Sequence, residues 1–277
     1  METINLSKDI KDRREQFDEM GKIYYSANHV KIEPEQIADV RCYWFIPQNP
    51  MTDKTIIYLH GGGYIMGSIE SHDAMVSHLA DRFNASILFV EYALAPENPY
   101  PAGVNDFLKV YRQLLQQNSS LKLFVIGDSA GGGILLSALA KMNDLNLPQP
   151  AGIIVISPWF DLECTADSYE LNESIDPIFT KAMIQQYASL YVGNGNLSEA
   201  NPIRCKLQNY PPALILVGTN ELLIDDSTNF FHEIKKYQPK SKLSIYENQS
   251  HVWLLPDIST DASQKAINEM KGFLDSL

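Results

Sequence analysis

Residues Gly127-Asp128-Ser129-Ala130-Gly131 place one hydroxyl between glycines in a G-x-S-x-G pattern, and Gly132 and Gly133 follow. The pattern alone is cheap, because glycine and serine are common residues. Its setting is more specific. The apolar run KLFVIG (122–127) leads into it as a strand would, and GGGILLSALAKM leaves it as a helix would. A serine on so sharp a strand-to-helix turn is held in a strained backbone, and small neighbours are needed for strand and helix to approach. Its Oγ then projects at a helix N-terminus, where the dipole and free N–H groups favour developing negative charge. That environment suits a nucleophile. A second segment, His60-Gly61-Gly62-Gly63-Tyr64, ends the run TIIYLH (55–60). Consecutive glycines leave backbone N–H groups open to a ligand, since no Cβ blocks the approach. Neither G-K-[ST] nor G-x-G-x-x-G accompanies them, so a nucleotide site has no support. Paired with a nucleophilic serine, these amides suit an oxyanion formed in acyl transfer, where losing one donor typically costs about 3–4 kcal/mol.

A serine nucleophile needs a base, and the base needs an acid to orient it. The histidines are His29, His60, His72, His78, His232 and His251. His72, His78 and His232 fall in helical stretches, His29 precedes the sheet, and His60 is placed to brace the glycine loop. His251 lies in a loop after KLSIY (242–246) and before a C-terminal helix, a place from which an imidazole can reach Ser129, and it is the one well-placed candidate base. The segment after ALILVG (213–218) offers Glu221 as the acid, with Asp225 and Asp226 at the start of the next helix. Acidic residues at a helix start often serve only as caps. The order Ser129, Glu221, His251 is nucleophile, acid, base, each on the loop after a different strand.

Those loops need a frame. Short β-branched apolar runs recur at 55–60, 86–91, 122–127, 152–156, 213–218 and 242–246, and residues 39–46 alternate as a half-exposed strand would. Helical stretches at about 71–83, 104–117, 131–142, 225–237 and 261–275 separate most of them. Near-continuous apolar strands alternating with helices indicate an α/β fold, a mostly parallel central sheet with helices on both faces. The C-terminal ends of parallel strands meet at one edge, where a site can assemble. The interval between Ile156 and Ala213 breaks this rhythm; it holds Asp176-Pro177 and a weakly amphipathic helical segment over 178–192. So long an excursion is uncommon unless it carries its own helices and a function. Residues 7–27 add an apolar stripe at helical spacing, Ile10, Phe17, Met20 and Tyr24, with Ser7 as its N-cap candidate. The expectation is a single domain over 1–277 with cap elements at about 1–30 and 163–205.

With 277 residues, 45% hydrophobic and 20% charged, the chain is long enough for one large domain. Lys plus Arg is 22 against 34 Asp plus Glu, a net charge of −12, which repels phosphate backbones and anionic membrane surfaces and argues against nucleic-acid partners. Cys42, Cys164 and Cys205 lie far apart, without metal-ligand spacing, as in a reducing compartment. The start METINLSKDI lacks the features of a signal peptide. No run approaches the ~18 apolar residues of a membrane span, so a soluble, cytoplasmic protein is expected.

Several segments in order, YLHGGGYIMGS (58–68), LAPENPYPA (94–102), GDSAGG (127–132), SPWFDL (157–162), ELLIDDS (221–227) and SHVW (250–253), resemble the hormone-sensitive-lipase-like family of α/β-hydrolases in its bacterial esterase branch. The resemblance runs from about residue 30 to the end. It implies an α/β-hydrolase fold with a helical cap and a serine esterase acting on short- to medium-chain neutral carboxylic esters, with no metal or organic cofactor. By position it assigns Ser129 as nucleophile, His251 as base and acid, Glu221 as orienting acid, and the amides of Gly62, Gly63 and Ala130 as the oxyanion hole. Tyr64, Met66, Trp159, Phe160 and the segment 164–205, with Asp128 beside the serine, are the candidates for substrate contacts, core packing being the equal alternative for the apolar and aromatic ones. Members of the family often dimerise through the sheet edge, so a homodimer is one expectation. Two positions depart from the family: the acid is more commonly aspartate, and Ala93 stands where arginine is usual. The same machinery serves amides, lactones or acetylated small molecules. A non-catalytic receptor on this scaffold would lack the histidine that His251 supplies here.

Overall fold

The computed structural model describes residues 6–118, 120–205 and 209–277. Helix α1 (Leu6–Asp18) tightens into a 3-10 turn at Glu19–Lys22 and is followed by strands β1 (Val30–Ile37), β2 (Val40–Pro47) and β3 (Met51–Leu59). Strand and helix then alternate: α2 (Ile69–Phe83), β4 (Ala85–Glu91), α3 (Ala102–Gln117), β5 (Lys122–Asp128), α4 (Ala130–Asp144) and β6 (Gly152–Ile156). The long excursion carries α5 (Ser168–Leu171), α6 (Lys181–Val192), α7 (Leu197–Ala200) and a 3-10 turn at Pro202–Arg204. Strand β7 (Ala213–Gly218), α8 (Ile224–Ile234), β8 (Lys242–Tyr246) and α9 (Asp261–Asp275) complete the domain. Residues 1–5 of the expected N-terminal cap lie outside the described residues.

The eight strands lie in the order β1-β2-β4-β3-β5-β6-β7-β8. β1 pairs with β2 and β2 with β4 antiparallel, and the remaining pairs are parallel. The chain steps outward from β3 to β4, then crosses back over β3 to β5. Strand order therefore reverses at β3 and β5, and loops leaving such a switch point diverge and open a crevice. The glycine loop leaves β3, and Ser129 leaves β5.

Both faces of the sheet are covered, which explains the continuous apolar runs. Ile57, Leu59 and Val125 pack on the face of α3, α4 and α8. Ile56, Tyr58, Phe124 and Ile126, alternating with them, pack on the face of α2 and α9. Strand β1 has no such signature in the sequence. It is an antiparallel edge strand, mostly exposed, with Pro34 paired opposite Tyr43. An edge tolerates proline because its N–H side need not join a ladder. The expected N-terminal helix is also shorter than its apolar stripe. At Gly21, an added Cβ would lie 1.8 Å from the Glu70 carbonyl oxygen, so the chain passes against α2 where only glycine fits.

Phe124 is fully buried between these elements. Phe124→Ala is expected to lower the free energy of urea unfolding by about 3–5 kcal/mol, as removal of a buried ring leaves a cavity. A loss below about 1 kcal/mol would show that this face is not close-packed.

Candidate active site

Ser129 sits on the turn between β5 and α4 at φ 50, ψ −119. This is a conformation that non-glycine residues hold only when the surroundings over-determine it. Here the surroundings do so. The Ser129 N–H donates to the Ile156 carbonyl (2.9 Å), and its own carbonyl accepts from Gly132 (3.0 Å) and Trp159 (3.0 Å). The glycines serve close approach. An added Cβ on Gly131 would lie 2.0 Å from the Leu59 carbonyl oxygen, and one on Gly127 2.8 Å from the Gly131 backbone.

The turn aims Oγ at His251, whose Nε2 lies 2.8 Å away. On the other side of the ring, Nδ1 lies 3.1 Å from Glu221 Oε2. A carboxylate only accepts, so Nδ1–H donates to Glu221, and the bare Nε2 accepts from the Ser129 hydroxyl. Glu221 is fully buried. Its Oε1 accepts from Ser157 Oγ (2.7 Å) and the Gly218 N–H (2.5 Å), which compensate for the lost hydration. Ser157 Oγ also accepts from the Val252 N–H (3.1 Å), joining the end of β6 to the histidine loop. Ser157 and Val252 both have φ +46, so backbone strain extends around the site. The motif reading gave Ser157 no role; its place directly after a core strand was the available signal.

Asp225 and Asp226 lie away from His251. Asp225 accepts from the Ser168 N–H (2.9 Å). Asp226 accepts from the N–H groups of Phe160 (2.7 Å) and Asp161 (2.8 Å), so it anchors the loop after β6 and does not cap its own helix.

On the opposite side of Ser129, the glycine loop turns back on itself, with Gly62 at φ +113 and its carbonyl accepting from Ile65 (3.2 Å) and Met66 (2.9 Å). No protein acceptor meets the N–H groups of Gly62 or Gly63 among the described residues. Ala130 opens α4, where first-turn amides lack helical partners. Asp128 braces the loop by accepting from the Gly61 N–H (3.0 Å) and Tyr58 OH (2.7 Å). Burial opposes ionisation of Asp128, but His72, 3.5 Å away, and the Tyr58 hydrogen bond outweigh it and hold the carboxyl below its ordinary value. His60 braces the same loop, as its position suggested. Its Nδ1–H donates to the Gly61 carbonyl (2.7 Å), its ring stacks on Tyr92, and burial depresses its pKa to about 3, so the ring is neutral.

A cavity of about 320 Å³ opens over Ser129 and His251. Met66, Asp128, Gly62 and Gly63 line it. Tyr64, Trp159 and Phe160 do not, which corrects the expectation for them. Tyr64 stacks on Tyr191 (3.9 Å) and donates to the Trp159 carbonyl (3.1 Å), and Phe160 packs on Phe230 (4.7 Å). All three belong to the core beneath α4, where bulky aromatics usually go. The walls instead come from Phe17 and Met20 of the N-terminal segment and from Ile178, Phe179, Met183 and Tyr187 of the excursion. The excursion residues fall within 164–205, which the sequence offered as a source of walls, whereas Phe17 and Met20 were not singled out for that role. Two arginines of α1 fasten this arrangement. Arg13 donates to Tyr187 OH (3.2 Å), while Arg14 donates to the carbonyls of Ile65 (2.7 Å) and Ala95 (2.9 Å) and pairs with Glu97. Among the described residues, no group of three or more His, Cys, Asp or Glu is placed to hold a metal ion.

A model of the alpha/beta hydrolase fold family matches residues 56–255. A crystal structure of an esterase from the bacterial hormone-sensitive lipase family superposes with a TM-score of 0.92 at 32% identity, covering 96% of this chain and 91% of that one. The chain belongs to the hormone-sensitive-lipase-like α/β-hydrolases. An acetyl-hydrolase of Streptomyces hygroscopicus is 34% identical over 203 residues, 72% of this chain and 68% of the relative. An esterase of Acinetobacter venetianus is 28% identical over 265 residues, 94% of this chain and 87% of the relative. Where this hydrolase has Ala93, the neighbouring Asp106 accepts the Ala93 N–H (3.1 Å) and pairs with Lys109 (2.8 Å).

Within the hydrolase, Asp161 and Asp226 are shifted in opposite directions. Burial pushes Asp226 up to about 7, the Asp161 charge adds to this, and the two backbone donors only partly offset it. Burial acts on Asp161 in the same sense, but hydrogen bonds from Thr165 and Asn201 outweigh it and hold Asp161 low. The folded pKa of Asp226 thus exceeds its unfolded value near ~3.9. Its stabilising contribution is full below about pH 4 and is lost as pH rises toward 7. Asp226→Asn, which keeps an acceptor oxygen without titrating, should become more stable relative to wild type across that window, by an order of ~3–4 kcal/mol in urea unfolding. Parallel stability curves from pH 4 to 8 would refute this.

Proposed function

We propose that this chain is a serine carboxylesterase hydrolysing short- to medium-chain neutral esters through an acyl-enzyme, with Ser129, His251 and Glu221 as its catalytic residues. The observation that carries the reading is the line from Ser129 Oγ through His251 to the buried Glu221 carboxylate, at 2.8 and 3.1 Å. His251 Nε2 takes the hydroxyl proton as Oγ attacks the ester carbonyl. The N–H groups of Gly62, Gly63 and Ala130 receive the oxyanion, and fixed amides beside apolar walls stabilise developing charge without reorganising. His251 then protonates the departing alcohol. Water, deprotonated by the same nitrogen, attacks the acyl-enzyme and releases the acid. Glu221 holds the required tautomer and stabilises the imidazolium between these transfers.

The cavity walls support the substrate class. Phe17, Met20, Met66, Ile178, Phe179 and Met183 offer apolar surface to an acyl chain. At about 320 Å³ the cavity lies at the small end of ligand sites, which favours short chains over long ones. Residues 1–30 and 163–205 act as the cap that supplies those walls. The name of the Streptomyces hygroscopicus acetyl-hydrolase favours a second reading, an acetylated small molecule as substrate of the same mechanism. Among the described residues no helix is long and apolar enough to cross a membrane. The free cysteines Cys42, Cys164 and Cys205 support a reducing, cytoplasmic setting. A homodimer through the edge strand β8, where Ile245 is exposed, belongs to the same proposal.

Ser129→Ala is expected to abolish ester hydrolysis with the thermal midpoint unchanged, and a fluorophosphonate probe should label the wild type at Ser129 alone. Turnover surviving in the variant would remove the proposal. Glu221→Gln should lower kcat by about 10⁴-fold, because the tautomer is no longer held, whereas Asp226→Asn should leave kcat within a few-fold. The reverse order would move the acid role to the start of α8. Across nitrophenyl esters from acetate to palmitate, kcat/KM should peak among the short chains; a maximum at palmitate would contradict the cavity argument.

A further inference from the structure

Asp176 touches neither Ser129 nor His251, yet it holds both groups that bear on the imidazole apart from the nucleophile. Its Oδ1 accepts the N–H groups of Ile178 (2.8 Å) and Phe179 (3.0 Å), closing a turn over Pro177 that sets the direction of the Phe179 side chain. The Phe179 ring meets the His251 ring edge-on, with centroids 4.9 Å apart at 70°. The other oxygen, Oδ2, accepts the N–H of Leu222 (2.8 Å), the residue after Glu221. Asn172 reinforces that route by donating from Nδ2 to the Glu221 carbonyl (2.8 Å). One carboxylate thus fastens the excursion between β6 and β7 to the loop of the orienting acid, with a contact to the imidazole at the end of each branch.

We infer that Asp176 is a positioning residue for proton transfer. It registers Phe179 and Glu221 against the same ring, so that the wall of the substrate cavity and the orientation of the base are set together. His251 sits in a loop, without a regular element to fix its ring. Displacing a base by about 1 Å is enough to cost about 100-fold in rate. The inference rests on the esterase reading and adds to it a link between cap and catalytic loop.

The test is steady-state kinetics with nitrophenyl butyrate on the full chain. Asp176→Ala should lower kcat by about 10–100-fold, the range expected of a misplaced catalytic group, with KM changed less than threefold. Asp176→Asn keeps one acceptor oxygen for one of the two branches and should recover part of the loss. Combined with Phe179→Ala, the Asp176→Ala loss should fall short of the product of the single losses by about threefold or more, as coupled residues do. A folded Asp176→Ala with wild-type kcat, a change confined to KM, or fully multiplicative losses would each overturn the inference. If Asp176→Ala does not fold, Asp176→Asn alone and with Phe179→Ala decides by the same criteria. Fluorophosphonate labelling of the wild type separates the two levels: absence of label at Ser129 overturns the esterase reading, whereas label with unaltered Asp176-variant kinetics overturns only the role of Asp176.

Discussion

The close contact between the end of β3 and the start of α4 is the constraint on which the rest depends. The Leu59 carbonyl lies where a Cβ on Gly131 would be, 2.0 Å away, so helix and strand approach to a distance that only glycine permits. That approach draws the Ser129 turn and the glycine loop to the same edge of the sheet. Next to it, Ser129 has a positive φ, held by the carbonyl of Ile156 and the amides of Gly132 and Trp159. Strain at one residue is sustained by packing over several elements.

Carboxylates do much of the remaining positioning, and each works by accepting backbone N–H groups. Asp128 takes that of Gly61, Glu221 that of Gly218, Asp226 those of Phe160 and Asp161, and Asp176 those of Ile178, Phe179 and Leu222. A carboxylate has about four acceptor sites and can fasten two or three chain segments at one point. Loops carry backbone donors that no ladder satisfies, and buried donors must be paired. The arrangement serves both needs. It also gives part of the net charge of −12 a structural use at the functional edge.

The cavity shows how two segments remote in sequence become one surface. Phe17 and Met20 arrive with α1, and Phe179, Met183 and Tyr187 with the excursion before β7. Arg13 ties Tyr187 to α1, and Arg14 ties α1 to the carbonyl of Ile65, just beyond the glycine loop. The cavity walls and the glycine loop are therefore linked through one helix.

Much of this was legible in the chain itself. The core strands from β3 to β8 and the five helices that cover them were read close to their observed limits, because burial on both faces leaves a continuous apolar signature. Ser129, Glu221 and His251 could be named from loop position and chain order, and the structure brings them within hydrogen-bonding reach. Strand β1 could not be read, since a mostly exposed edge strand containing Pro34 carries neither periodicity nor apolarity. The aromatic residues nearest the motifs, Tyr64, Trp159 and Phe160, looked like walls and proved to be core. An aromatic side chain has the same sequence signature in either place, and only the direction of the backbone at Tyr64 and the space beneath α4 distinguish them. The sequence by itself determined the core elements and offered Ser129, Glu221 and His251 as the reactive groups, both of which depend on local pattern. The tertiary structure alone decided what surrounds those groups: Ser157 under Glu221, Phe179 on His251 and Asp176 behind both, contacts between segments whose separation along the chain leaves no local trace.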